Sequence, residues 1–209
     1  LKDGSISHGL LEDGASLIQN GWREWGGETM LVLLLRHLAA PGAAPLRFEM
    51  AHPGEPYLGT GFIAELQSLF YPDFDSDSPD AVSQTCWRTA RLKHLDEQRN
   101  YAAKHWRGTL AHELGLYGLS AGENATGTSY QVNGTKVAPC DLIHPHYFMM
   151  SACLRDDPEQ VVAAIDKLRR IGLFPPCGLV ENFTSTGSTY LPMNGSLNAG
   201  FEAVAAYHF

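Results

Sequence analysis

The stretch Asn20 to Thr29, which reads NGWREWGGET, places two glutamates four residues apart at the start of an apolar segment. Trp22 and Trp25 stand on either side of Glu24. Glycoside cleavage requires a protonated carboxylic acid and a second carboxylate, and burial against an indole ring raises the pKa of such an acid. We therefore predict Glu24 as a general acid, whereas Glu28 could equally be a first-turn carboxylate favoured by the helix dipole.

Other carboxylates and aromatic residues occur in the segments that are predicted to be loops. A sugar ring stacks on aromatic faces and offers hydroxyls to polar side chains, so this combination suits carbohydrate. The alternative is that the aromatic residues belong to the core. The loop carboxylates are Glu123, Asp141 and Glu181, and the aromatic residues outside the apolar stripes are Trp22, Trp25, Tyr117, Tyr130, Tyr147 and Tyr190.

The segment His144-Pro145-His146 raises metal binding or base chemistry. No third ligand follows at a recognisable spacing, and the four cysteines show no zinc-ligand pattern, so we predict no metal and no cofactor. A hydroxyl contact to substrate or a hydrogen-bonded structural histidine fits better. A Tyr/His pair acting on a uronic acid would instead indicate a polysaccharide lyase.

Composition excludes other classes of partner. The 209 residues carry a formal net charge of −8 without a Lys/Arg run, which argues against nucleic acid. The longest apolar run, Met30 to Leu35, is far shorter than the ~20 residues of a membrane span, so no membrane insertion is expected. No targeting signal is recognisable, and a glycan-active protein is expected to be periplasmic or secreted rather than cytoplasmic.

Helical patterns dominate the chain and predict a single all-α domain. Apolar spacing, caps and breakers predict helices at 24–40, 60–70, from Ser78 to about Trp106, from Pro145 to Cys153, from Asp157 to Gly172, and from about Ser196 onward. The first of these is apolar on every side and should be buried. Long Gly/aromatic loops are predicted at 108–141 and 174–193, with local pairing possible at 128–132.

An ordered set of motifs adds a family resemblance. The motifs are NGWREW (20–25), GTGFIAELQSLFYPDFD (59–75), ELGLYGLSAGE (113–123), GTKVAPCDLIHP (134–145), DPEQVVAAIDKLRRIGLF (157–174), LVENF (179–183) and YLPMNGS (190–196). In this order they resemble glucoamylase-like glycoside hydrolases, the group that includes bacterial endo-β-1,2-glucanases. The resemblance implies part of an (α/α)6 toroid of helical hairpins with the loops on one face, and residues 1–209 as the C-terminal part of that domain in a longer chain.

The resemblance also implies roles for individual residues. Glu24 falls in the family's NGW-x-E-[YW] motif, where the general acid is expected, and Glu181 falls where FYDAFN has its aspartate. Asn194 replaces the aspartate of YLGIDQG, the expected base, and an amide cannot accept a proton. Glu181 could substitute for it, or the protein could bind glycan without cleaving it.

The sequence therefore predicts a glycoside hydrolase-like enzyme on a β-glucan, possibly β-1,2-linked, with an oligo- or polysaccharide as partner. A silent binding module and a lyase remain open as alternatives. Glu24 and Glu181 are the predicted catalytic residues. The predicted substrate contacts are Trp22, Arg23, Trp25, Glu28, Tyr130, Asp141, His144, His146, Tyr190 and Asn194.

Overall fold

The computed structural model describes residues 1–2, 4–43, 49–80, 83–137, 139–152, 158–176, 178–193 and 195–207. Within these ranges the chain is mostly helical. The helices are α1 (Gly27–Ala39), α2 (Gly61–Phe70), α3 (Trp87–His105), α4 (Leu110–Glu113), α5 (Pro145–Ala152), α6 (Pro158–Arg170) and α7 (Ser196–Tyr207). Over the described ranges, no helix has the length and apolarity needed to span a membrane.

Three small antiparallel sheets accompany the helices, so the all-α prediction holds only in part. The strands are β1 (Ile6–Ser7), β2 (Gly21–Trp22), β3 (Ala121–Glu123), β4 (Tyr130–Val132), β5 (Leu142–Ile143), β6 (Asn182–Thr184) and β7 (Tyr190–Leu191). They pair as β1-β2, β3-β4 and β5-β6-β7. Pairing in the 128–132 segment was anticipated, and the others organise stretches expected to be irregular. The six-hairpin toroid remains a prediction.

Helix α1 begins three residues later than predicted, because Gly26, which precedes it, and Gly27, its first residue, both have positive φ angles. Gly26 has φ 82° and Gly27 has φ 57°. A side chain at either glycine would also collide with Ile63 of α2. The prediction of a helix buried on all sides is wrong, since Leu35 and Leu38 are each 58% exposed.

Helix α3 begins at Trp87 and not near Ser78. The carboxylate of Asp80 accepts hydrogen bonds from the backbone amides of Ser83 (2.7 Å) and Thr85 (3.1 Å) and from the Trp87 indole (3.0 Å). These bonds satisfy the backbone in a turn, which competes with helix formation. The helix ends at His105, close to the predicted end.

Helix α2 is the centre of the fold. Nine of its ten residues are buried, and it contacts α1, α3, α5 and α7. The main core includes Leu66, Leu69 and Phe183. A second cluster consists of Trp25, Met30, Leu33 and Trp87, and fixes the start of α1 beside α3.

Candidate functional site

The Glu181 carboxylate joins three separate segments. Only 2% of this residue is exposed. Its Oε1 accepts hydrogen bonds from the amide of Glu123 (3.0 Å) and from Asn198 Nδ2 (2.7 Å), and its Oε2 accepts one from the amide of Gly195 (2.9 Å). These hydrogen bonds bring strand β3 and the start of α7 together with the residue that precedes β6.

His144 lies against the same carboxylate. A Cβ on Gly122 would stand 2.5 Å from His144 Nδ1 and 2.6 Å from Glu181 Oε1. Asn133 Nδ2 lies 3.0 Å from the other ring nitrogen, Nε2. Burial lowers the pKa of His144 to about 4, although the Glu181 carboxylate and its backbone oppose the shift. The imidazole is therefore neutral near pH 7.

His146 is equally enclosed. Its Nε2 lies 3.0 Å from Ser120 Oγ, and burial holds its pKa well below the ordinary value. His144 and His146 are 0% and 1% exposed, so the predicted hydroxyl contacts to substrate do not fit either residue. Nε2 of each ring has a hydrogen-bond partner, as the structural alternative requires, whereas Nδ1 of each is buried without one among the described residues. Among the described residues, no group of three or more His, Cys, Asp or Glu side chains could hold a metal ion.

Tyr130 is surrounded by carboxylates. In the β3–β4 pair it lies opposite Glu123, and it is 55% exposed. Burial raises the pKa of its phenol most, and the charges of Glu28, Glu181 and Glu123 raise it further. Glu28, in the first turn of α1, and Glu181, which precedes β6, therefore both act on a residue of the β3-β4 pair.

Glu28, in the first turn of α1, is a carboxylate with a perturbed pKa. Partial burial raises its pKa, against smaller lowering effects from its own backbone amide and from His8. Gln67 of α2 accepts a hydrogen bond from the amide of Gly27 through its Oε1 (3.0 Å), which anchors the turn that carries Glu28. A half-buried acid with a raised pKa is suited to donate a proton.

Trp22 packs against His8, whose charge acts on Glu28. The Trp22 and His8 rings are 4.3 Å apart, and His8 acts electrostatically on Glu28. The β1-β2 pair, which joins Ile6 to Trp22, holds these rings together. Trp22 is half-buried and is available to a ligand at the edge of the carboxylate group.

The other residues predicted from NGWREW lie elsewhere. Trp25 is 2% exposed, packs 4.6 Å from Trp87 and donates to Thr85 Oγ1 (3.2 Å), so it offers no face to a sugar. Glu24 is half-buried and forms a backbone bridge to Ala51. Among the described residues, Glu24 is not one of the carboxylates that act on Tyr130. Arg23 is exposed.

Asp141 directly precedes strand β5, and Tyr190 lies in strand β7 of the same sheet. Asp141 accepts hydrogen bonds from the amide and the hydroxyl of Ser185, which follows β6, whereas Glu181 precedes β6. The three residues of β6 separate Ser185 from Glu181. The four steps between them span about 13 Å of extended chain, so Asp141 is not part of the Glu181 group. Tyr190 is 47% exposed on the edge strand β7. The prediction for Asn194 concerns a residue outside the described ranges.

The sequence analysis did not identify Asn133, Asn182, Asn198 or Gly122 as residues of this site. Asn133 contacts His144, and Asn198 donates to Glu181. Asn182 donates to the carbonyls of Glu123 (2.8 Å) and Asn124 (3.3 Å). A signal was present, since Asn124, Asn133 and Asn182 each begin an N-x-[ST] triplet. Asn133 and Asn182 are buried, so the asparagines of these two triplets have a structural role.

Similarity to known proteins is visible in the fold and not in the sequence. No protein-family model and no curated protein matches the sequence. A crystal structure of a "putative glucoamylase" from Bacteroides caccae matches 97% of this chain and 53% of its own, with TM-score 0.67 and 16% identity. One from Bacteroides uniformis, also named a "putative glucoamylase", matches 73% of this chain and 37% of its own, with TM-score 0.59 and 17% identity.

The chain therefore has a glucoamylase-like fold, as the motifs suggested. At these identities the likeness concerns the fold alone. The chain spans about half the length of the Bacteroides caccae protein and a smaller share of the other.

Proposed function

We propose that this protein is a glycoside hydrolase that cleaves a neutral β-glucan on the surface formed by Glu28, Glu123, Tyr130 and Glu181. One observation carries the proposal: half-exposed Tyr130 pairs opposite Glu123, whose amide donates to the Glu181 carboxylate. The charge of Glu28 also acts on Tyr130, and the fold is glucoamylase-like. Glycoside hydrolysis needs paired carboxylates beside a surface on which a sugar ring can stack.

The proposed acid is Glu28 and not Glu24. Partial burial raises the pKa of Glu28, which keeps the proton available near the pH of the reaction. Glu181, held by three hydrogen-bond donors, is the proposed second carboxylate. Tyr130, Trp22 and Tyr190 are the proposed stacking residues, since each keeps accessible surface.

The linkage is proposed from the sequence resemblance to β-1,2-glucanases, while the name of the structural neighbours makes α-glucans a necessary comparison. Release of reducing sugar is measured on β-1,2-, β-1,3-, β-1,4- and α-1,4-glucans. We expect product from a β-linked glucan, most of all the β-1,2 polymer. Product only from the α-linked polymer would overturn the substrate assignment.

Glu28→Gln and Glu24→Gln form a matched pair, because both residues are half-buried glutamates of one short segment. Loss of a general acid lowers kcat by about 10²–10⁴-fold. We expect this loss in Glu28→Gln and near-normal turnover in Glu24→Gln. The reverse result would return the acid role to Glu24.

A second candidate is a glycan-binding protein without turnover. It is favoured by the enclosure of Glu181, whose two oxygens are both already hydrogen-bonded and which is 2% exposed. Calorimetric binding of a glucan with no product over long incubation would support this candidate. Product that disappears in Glu28→Gln would exclude it.

The lyase alternative is less well supported. A uronic acid polymer is anionic, and three glutamates around Tyr130 would repel it. An unsaturated product that absorbs in the ultraviolet, formed from a uronate polymer, would nevertheless establish a lyase.

Completion of the site by further helices of a longer chain, as the resemblance implies, is likewise a proposal.

A further inference from the structure

A buried cluster behind the proposed site is explained neither by the acid nor by the stacking residues. It consists of Gly122, Asn133, His144, Glu181 and Asn198, and we refer to it as the Glu181 cluster. Asn133, His144, Glu181 and Asn198 are between 0% and 7% exposed. The cluster combines residues from five places: β3, the segment after β4, the position between β5 and α5, the position before β6, and α7.

The proton of His144 has a defined place. Asn133 donates from Nδ2 to His144 Nε2 at 3.0 Å, so Nε2 must present its lone pair. A neutral imidazole carries a single proton, and burial lowers the pKa of His144 to about 4. The proton is therefore on Nδ1.

Nδ1 lies on the side of the ring that borders Glu181. It and Glu181 Oε1 border the same methyl-sized space at Gly122. Nδ1 is buried and has no hydrogen-bond partner of normal geometry among the described residues. The Glu181 carboxylate and backbone nevertheless act on the ring. An N–H in this position presents positive potential to a carboxylate that already accepts three hydrogen bonds.

We propose that His144 is a positioning residue, set in its Nδ1–H tautomer by Asn133, that orients the Glu181 carboxylate of the proposed hydrolytic site. The catalytic role of Glu181 rests on the proposed function, whereas the tautomer of His144 does not. Gly122 is required because any side chain there would separate the ring from the carboxylate. The order Asn133, His144, Glu181 follows the general logic in which an outer residue selects a tautomer and thereby orients an inner group.

The tautomer is tested without reference to activity. The ¹⁵N chemical shifts of the two ring nitrogens of His144 are measured in the wild-type protein labelled at histidine, and His144→Gln identifies the signal. We expect a protonated Nδ1 and an unprotonated Nε2 at pH 7. A protonated Nε2 would overturn the proposal.

The positioning role is tested by Asn133→Asp, which places an acceptor opposite Nε2 and should move the proton there. We expect a reversed tautomer, kcat lower by at least about 10-fold and a nearly unchanged KM. Asn133→Ala, which removes the donor without adding charge, should give mixed tautomers and a smaller fall in kcat, and it serves if Asn133→Asp does not fold. Asn100→Asp, at an exposed position of α3, is the control.

A reversed tautomer with unchanged kcat would overturn the positioning role while the hydrolase assignment stands. Absence of turnover on every glucan would overturn the proposed function and with it the catalytic role. The ¹⁵N measurement would still decide whether Asn133 sets the proton on His144. The two failures are thus distinguishable.

Discussion

His144 and Glu181 both border the space that a side chain at Gly122 would occupy, so neither leaves room for one. A Cβ at that position would lie 2.5 Å from His144 Nδ1 and 2.6 Å from Glu181 Oε1. The ring and the carboxylate come from segments far apart in the sequence and are both buried. Their proximity is a product of the tertiary fold and bears on the stability of the site.

Gly122→Ala should be destabilising by about 1–3 kcal/mol, because a methyl group there overpacks two buried polar groups. Urea unfolding measures the change. Gly200→Ala in α7 is the matched control, since a Cβ there meets nothing within 4 Å, and it should gain about 0.5–1 kcal/mol of helix stability. Equal effects of the two substitutions would contradict the close contact at Gly122.

Glu28→Gln should raise stability at pH 7. Because burial raises the pKa of Glu28 in the folded state, the ionised side chain opposes folding once the pH exceeds its unfolded pKa. Its replacement should therefore raise Tm at pH 7. The gain should vanish in acid, below the ordinary pKa of glutamate, where both states are protonated.

Thermal unfolding of both proteins between pH 3.5 and 8 tests this expectation. Exposed Glu12 provides the control substitution Glu12→Gln, which should leave Tm nearly unchanged at every pH. A Glu28→Gln protein that is less stable than wild type at pH 7 would show that the carboxylate supports the fold.

Mild acid should weaken the fold through His144. The pKa of this residue falls from 6.5 to about 4 on folding, so above pH 6.5 both states are neutral and below it the unfolded state binds the proton first. Stability is therefore present above pH 6.5 and lost as the pH falls toward 4, by about 3 kcal/mol for this group. His146, also buried and neutral, acts in the same direction.

Urea unfolding at a series of pH values measures this loss. In His144→Phe the slope between pH 6.5 and 4 should be shallower than in wild type, whatever the absolute stability. His112→Gln, at an exposed position, should keep the wild-type slope. A wild-type protein with constant stability over this interval would refute a neutral buried His144.

Substitution of Trp22 should affect mainly glucan binding, and substitution of Trp25 should affect mainly the stability of the fold. Trp25→Ala should cost about 3–5 kcal/mol of stability, because it removes a buried indole from its contact with Trp87. Trp22→Ala should cost much less and should weaken binding of the glucan that the hydrolysis panel identifies, by about 10-fold. Unfolding curves and calorimetry on the same two proteins provide the comparison. Weaker binding in Trp25→Ala alone, at temperatures where it is folded, would reverse the assignment.

The sequence by itself determined most of the helices. Apolar spacing predicted α1, α2, α5, α6 and α7 close to their observed positions, because helices depend on local hydrogen bonds and on the periodicity of the face that is buried. It failed at the start of α3, where the Asp80 side chain satisfies the backbone of a turn. Local propensity does not reveal which of these two arrangements is chosen.

The tertiary structure decided the composition of the site. The sequence of NGWREWGGET does not distinguish Trp22 from Trp25 or Glu24 from Glu28. In the structure Trp25 lies in the core, and the charge of Glu28, unlike that of Glu24, acts on Tyr130. Burial, and with it the pKa of Glu28 and His144, depends on packing between distant segments. The bond from the Glu123 amide to Glu181 spans 58 residues, a separation over which no local pattern specifies a partner.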